Sequence, residues 1–246
     1  MRNTKAILLK QMASLLKSPG MLVQAAIFIG MALVMSFFID TDDDDICETC
    51  IPAYICSTCL EEAEDETPPP TIVGMFAVMF VGLALVGSAS ALVYEDKLTN
   101  NLRFMTMAGV KPPQYLIGSA VSIFALVIVV LLLFAVVGRY FSDIHWFMLV
   151  TMSGSLVSIL LGIAIGLSKY PVLATPVSMM LGMGPMLSQF NESLESILRF
   201  TYTQQIRNAL GDLEADLSFS FMIIGINGAV ILLMFVWMHR KGDLRW

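Results

Sequence analysis

The chain has 246 residues, of which 57% are hydrophobic and only 14% charged, with a mean hydropathy of +0.78 and a net charge of −6. A soluble domain carries roughly a quarter charged residues, so the composition excludes a soluble globular protein and points to a membrane protein. The short alternating strands of a β-barrel are absent from the sequence, which leaves an all-α, polytopic architecture.

Residues 1–20 read as a basic amphipathic helix. Ile7, Leu8, Gln11, Met12, Leu15 and Leu16 share one side, Lys10 and Lys17 project from the other, and Pro19-Gly20 ends it. Such a helix lies in the membrane interface with its lysines toward anionic lipid or a cytoplasmic partner. A signal peptide fits less well, because the basic lead is long and no small-residue cleavage site follows Ile39.

Six apolar segments then have about the length needed to cross a hydrocarbon core of ~30 Å. They are Met21–Ile39, Ile72–Val93, Tyr115–Gly138, Trp146–Ser168, Val172–Ser188 and Phe219–His239. With the N-terminus in the cytoplasm, six spans return the C-terminus there. Eleven basic residues then lie inside, and only Arg139, Arg199 and Arg207 lie outside. The opposite topology inverts that ratio and breaks the positive-inside rule. Only three acidic residues, Glu95, Asp96 and Asp243, fall inside. The negative net charge therefore belongs to the outer face and does not favour nucleic acid binding.

The first outer loop, residues 40–71, is flanked by acidic runs and holds all four cysteines, Cys47, Cys50, Cys56 and Cys59, as two C-x-x-C pairs five residues apart. In an oxidising compartment two disulfides are the expectation. A four-cysteine zinc knuckle is the alternative, although five intervening residues are short for one. The aspartate run lacks the glycine and terminal glutamate of an EF-hand.

Residues 94–114 form the long polar connection between the second and third spans. Leu98, Leu102, Met105 and Ala108 recur at helical steps, Glu95 and Asp96 stand near the start, Gly109 supplies a stop, and Pro112-Pro113 forbid continuation. A short helix with an apolar stripe needs a surface to bury it. In the fourth span Gly154, Ser158, Gly162 and Gly166 repeat every four residues, a stripe read as close helix packing within the subunit, with a dimer seam as the lesser alternative. The fifth span is brief, and Gly182 to Pro185 interrupts it near the outer end. Residues 189–218 are too polar to span. Leu194, Ile197, Leu198, Tyr202, Ile206, Ala209 and Leu210 keep a helical period there, which places an amphipathic helix at, or dipping into, the outer membrane face. Asn191-Glu-Ser formally matches a glycosylation sequon, but the favoured reading is a chance match beside an N-cap asparagine.

Catalytic and coupling chemistry is missing. No charged residue occupies the centre of a span, where an ion-coupled carrier or voltage sensor places one. There is no G-x-x-x-x-G-K-[ST] loop, so the chain does not hold a nucleotide through a P-loop of its own. His145 and His239 sit at span ends, and no nucleophile–base arrangement or H-E-x-x-H accompanies them.

Six spans, an interfacial N-terminal helix, a cytoplasmic hairpin and an outer amphipathic segment together resemble the permease subunits of ABC-2-type exporters over nearly the whole chain. The most specific local match is Glu95 at the end of span two, then Asn101-Leu102, Met105 and Gly109-Val110-Lys111-Pro112. The resemblance implies that the hairpin is a coupling helix docking on a separate ABC ATPase subunit, which carries the ATP and Mg, while this chain holds no cofactor or metal. Leu98, Leu102 and Met105 would form the docking face, Glu95 and Arg103 its rim, and Gly109 its turn. It further implies a second permease copy or paralogue, contact with membrane lipid, a cell-membrane location, and export of a hydrophobic or amphipathic cargo. The cysteine loop is a departure from the family pattern. A non-transporting sensor or assembly scaffold, with that loop as its partner-binding surface, is the rival reading.

Overall fold

A computed structural model describes residues 19–40, 71–107, 109, 112–138, 144–168, 170–188, 192–211 and 217–240. The N-terminal interfacial helix and the four-cysteine loop, with its disulfide or zinc, lie outside the described residues. Among those described, the fold is all-helical with no strand. Helix α1 covers Pro19–Asp40. Helix α2 (Thr71–Met79) continues through a π turn (Phe80–Ala84) into α3 (Leu85–Leu98). The short α4 (Asn101–Met107) leads to α5 (Pro112–Val137) and α6 (Ile144–Leu167). A 3-10 turn (Pro171–Leu173) opens α7 (Ala174–Leu187), and α8 (Glu192–Leu198), α9 (Tyr202–Gly211) and α10 (Leu217–Arg240) complete the chain.

Four helical stretches are long and apolar enough to cross a membrane: Val73–Leu98, Gln114–Val137, Ile144–Leu167 and Leu217–Val236. Two shorter apolar helices accompany them, Leu22–Met35 within α1 and Pro171–Leu187. The second span runs on to Leu98 rather than ending at Val93. Pro112 and Pro113 do not close the hairpin helix but open α5, where proline's missing N–H costs nothing because the first helical N–H groups have no partner anyway. Pro185 does not interrupt α7, which continues through it to Leu187.

Contacts fix the relative directions. Gln24 accepts a hydrogen bond from Ser88 at 3.2 Å, and Phe28 meets Phe80 edge-on at 6.4 Å, so α1 runs antiparallel to the α2–α3 helix. The small residues of α6 face inside the molecule. A methyl on Gly162 would sit 2.7 Å from the Val86 carbonyl, and one on Gly166 2.7 Å from the Ser90 carbonyl, so α6 packs backbone to backbone on α3. The stripe is intramolecular packing, as expected. Gly82, within the π turn, meets Gly182 and the Leu181 carbonyl of α7 equally closely. The core around these crossings holds Phe80, Leu85, Ile123, Leu131, Phe134, Ile159 and Ile163, all buried.

Helix α9 departs furthest from an outer surface helix. Tyr202, Thr203, Gln204, Gln205, Ile206, Ala209 and Leu210 are all buried. Ile206 fills the space at Gly154, and the Tyr202 hydroxyl is 2.7 Å from Ser158 Oγ. Ser158 lies 14 residues along α6, about 21 Å from its start, so α9 penetrates past the middle of the bundle. Going down α9, Ile206 and Tyr202 meet Gly154 and Ser158 of α6 in turn. From α10, Ser220 donates to Gln205 of α9 and Asn227 donates to the Phe200 carbonyl just before α9. Both α6 and α10 are thus antiparallel to α9 and parallel to each other.

Candidate functional site

The hairpin after α3 is built by a run of local devices. Thr99 donates from its N–H and its hydroxyl to the Glu95 carbonyl, at 2.9 and 2.8 Å, ending α3. Asn100 then takes φ 55°, the left-handed conformation that asparagine tolerates better than most residues. This single residue redirects the chain into α4. Gly109 takes φ 76° on the far side, as its role of helix stop requires.

Two adjacent side chains fasten the hairpin to the spans. The Asp96 carboxylate accepts from Asn101 Nδ2 at 3.1 Å through one oxygen and from the Tyr115 hydroxyl at 2.9 Å through the other, joining α3, α4 and α5. Lys97 Nζ donates to the carbonyls of Leu167 and Ser168, at 3.4 and 3.0 Å, satisfying the C-terminus of α6. Cationic caps at that end of a helix are favoured because its carbonyls lack intrahelical partners. The hairpin is therefore a braced elbow rather than a loose loop. Neither Asp96 nor Lys97 was singled out from the sequence as a site residue, and single-sequence spacing carried no sign of their partners, 19 and about 70 positions away.

The docking stripe expected from the sequence is divided. Leu98 is exposed, but Leu102 is buried at 3% exposure and the half-buried Met105 packs against the same core. Leu102 and Met105 hold the hairpin on the bundle and are not available to a partner. The exposed apolar side chains are instead Leu98, Phe104 and Met107, at 63, 67 and 69% exposure. Glu95 and Arg103 are exposed beside them. At the same end of the bundle Tyr170, Val172 and Leu173 also stand clear of the protein.

The opposite end holds a second polar constellation, around α9. Ser188 Oγ bonds the Pro185 carbonyl at 2.9 Å and Gln204 Oε1 at 3.1 Å, while Gln204 Nε2 donates to Asn208. Arg207 Nη1 donates to the Pro185 carbonyl at 2.9 Å and to Ser188 Oγ at 3.1 Å. Partial burial pulls the Arg207 guanidinium below its ordinary range, and the negative charge of Glu195 opposes that. Arg199 lies over the Phe219 ring at 5.7 Å. The buried hydroxyls of Ser119 and Thr203 have no hydrogen-bond partner among the described residues. No cluster of metal-ligating side chains occurs among the described residues.

The hairpin leaves Leu98, Phe104 and Met107 exposed, whereas the Arg207 guanidinium at α9 is half-buried and bonded to the end of α7. No family model, curated protein or solved structure matches the chain.

Proposed function

We propose that the chain is the membrane permease subunit of an ATP-driven ABC exporter, with its hairpin docked on a separate ATPase and a second permease copy or paralogue beside it. One observation carries this reading. A braced hairpin between two membrane-crossing helices leaves Leu98 at the end of α3 and Phe104 and Met107 on α4 exposed, large apolar side chains for a partner or lipid to cover. Three charged side chains, Glu95, Arg103 and Lys97, stand in or next to it, which suits a protein groove better than hydrocarbon.

On this reading α1 and the Pro171–Leu187 helix complete six spans. The 22 residues of α1 give about 33 Å of rise. The antiparallel pairing of α1 with α3 puts the start of α1 at the hairpin end, and the parallel pairing of α6 with α10 puts the end of α10 there too. With the charge bias, that end is cytoplasmic. Closure and reopening of the ATPases would pull on Asp96 and Lys97 and so tilt α5 and α6 relative to α9, switching access to the pathway. The cargo is hydrophobic or amphipathic, since the spans offer hydroxyls and amides but no central charge.

The test is mild extraction of the tagged chain. A Walker-motif ATPase should copurify, and Phe104→Asp with Met107→Asp should release it while leaving the thermal unfolding midpoint unchanged. Recovery of the folded chain without any ATPase would support the scaffold reading instead.

A further inference from the structure

Two of the apolar helices depart from regular α-helical bonding at the same place. In α7, Pro185 has no N–H, so the carbonyl of Leu181, four residues earlier, lacks the donor that an α-helix supplies. In the α2–α3 span, the π turn Phe80–Ala84 shifts the bonding by one residue, with the Leu85 N–H donating to the Phe80 carbonyl. The two irregularities touch. A methyl on Gly82 would lie 2.7 Å from the Leu181 carbonyl oxygen and 2.8 Å from the Gly182 nitrogen, and one on Gly182 would lie 3.0 Å from the Leu83 nitrogen. The carbonyl that proline deprives of its helical donor therefore lies against the π turn, where Gly82 has only weak Cα–H donors to offer it.

Prolines and π turns are each places where helices bend. One on each side of a single backbone-to-backbone crossing is what a shared hinge needs. Both ladders are already altered there, and no side chain wedges the helices apart. The segments leaving the crossing are held by different neighbours. On α7, the Pro185 carbonyl and Ser188 accept from Arg207, and Ser188 donates to Gln204 of α9. On the other helix, α3 packs on α6 at Gly162 and Gly166, and Lys97 holds the Ser168 carbonyl. A bend at the crossing thus changes the angle between the α9 end of the bundle and the hairpin end.

We propose that the Gly82–Gly182 crossing is a hinge shared by the α2–α3 span and α7, at which both helices bend together. Close packing accounts for the two glycines. It does not account for a proline and a π turn meeting at the same point. The hinge goes beyond the exporter reading and needs no ATPase, so the two ideas fail separately.

The experiment follows backbone amide exchange by mass spectrometry in the full chain, held in phosphatidylcholine nanodiscs. Residues 80–86 and 182–187 should exchange faster than the middles of α5 and α6. Pro185→Ala, or Pro185→Val with its bulk closer to that of the ring, returns a donor to Leu181. Either should slow exchange in both segments by about three- to tenfold, the worth of one backbone hydrogen bond. Spin labels at the exposed positions Met107 and Ile197, with the four native cysteines replaced, should give a distance distribution that narrows in the same variants. Slowing confined to α7 would make the proline and the π turn independent local features and overturn the hinge. So would an unchanged distance distribution in a variant whose exchange has slowed. A parent chain in which both segments are as protected as the rest of their helices would overturn it without any variant.

Discussion

Lys97 donates to the Ser168 carbonyl at 3.0 Å, across 71 positions of sequence, and thereby ties the hairpin to the far end of α6. The contact joins the two connections that lie at one end of the bundle. Lys97→Met removes both hydrogen bonds to the α6 terminus and should cost about 1–2 kcal/mol, since the donor is charged but only half-buried. Spin labels at Met107 and Tyr170, with the four native cysteines replaced, should show a distance distribution that broadens in Lys97→Met and narrows again in Lys97→Arg.

Asp96 and Tyr115 hold the other side of the elbow at 2.9 Å. A double-mutant cycle of Asp96→Asn and Tyr115→Phe should give a coupling of about 1 kcal/mol in thermal unfolding, the range for residues in one hydrogen-bonded network. Additive effects would show that the bond does not contribute to stability.

Glycines on α6 separate from glycines elsewhere by what surrounds them. Gly162→Ala places a methyl against the Val86 carbonyl and the Ala89 side chain, so α3 and α6 must move apart. The expected cost is about 1–3 kcal/mol, typical of overpacking. Gly87→Ala and Gly225→Ala meet nothing within 4 Å and should leave the melting temperature unchanged or slightly higher.

The pair Ser158 and Tyr202 should behave asymmetrically. Ser158→Ala strands a buried phenol hydroxyl and should cost about 1–3 kcal/mol. Tyr202→Phe leaves a serine that can turn back to a carbonyl of its own helix, as Ser122 and Ser155 do, and should cost less. Thermal unfolding of the two single variants and the double variant in one detergent ranks them. A double variant no worse than Ser158→Ala would agree with a shared bond.

Leu102 and Phe104, two positions apart, should have opposite phenotypes. Leu102→Ala opens a cavity in the core and should destabilise by about 2–5 kcal/mol. Phe104→Ala, at an exposed site, should lie within about 0.5 kcal/mol of the parent. Denaturation of the two variants side by side distinguishes them.

The long apolar helices were legible because unbroken hydrophobic length is a one-dimensional signal, and the four that are clearest begin and end within about five residues of the expected bounds. The docking face was not. Steps of four and three from Leu98 to Met105 assume one continuous helix, but Asn100 at φ 55° breaks the axis between Leu98 and Leu102, so the two halves of the stripe point in different directions. The burial of α9 was equally hidden. Gln204 and Gln205 mark a polar surface by composition, yet each is bonded inside the bundle, to Ser188 and Asn208 in one case and to Ser220 and the Arg199 carbonyl in the other. Burial of amides is tolerable only when such partners exist, and the partners come from separate helices that a linear pattern does not bring together. That α6 would pack closely on a neighbouring helix was readable from four small residues in register, but that the neighbour is α3 was not.

The π turn at Phe80–Ala84 carries a consequence for where the hairpin points. Such a turn is what one inserted residue makes of an α-helix. Winding the same residues as unbroken α-helix, with none removed, would rotate everything beyond by about 100°. Lys97 would swing away from Ser168, and Leu98 would face a different direction, with no side chain of the hairpin altered. The aim of the exposed triad is thus indexed by a single surplus residue lying about 20 Å back along the helix.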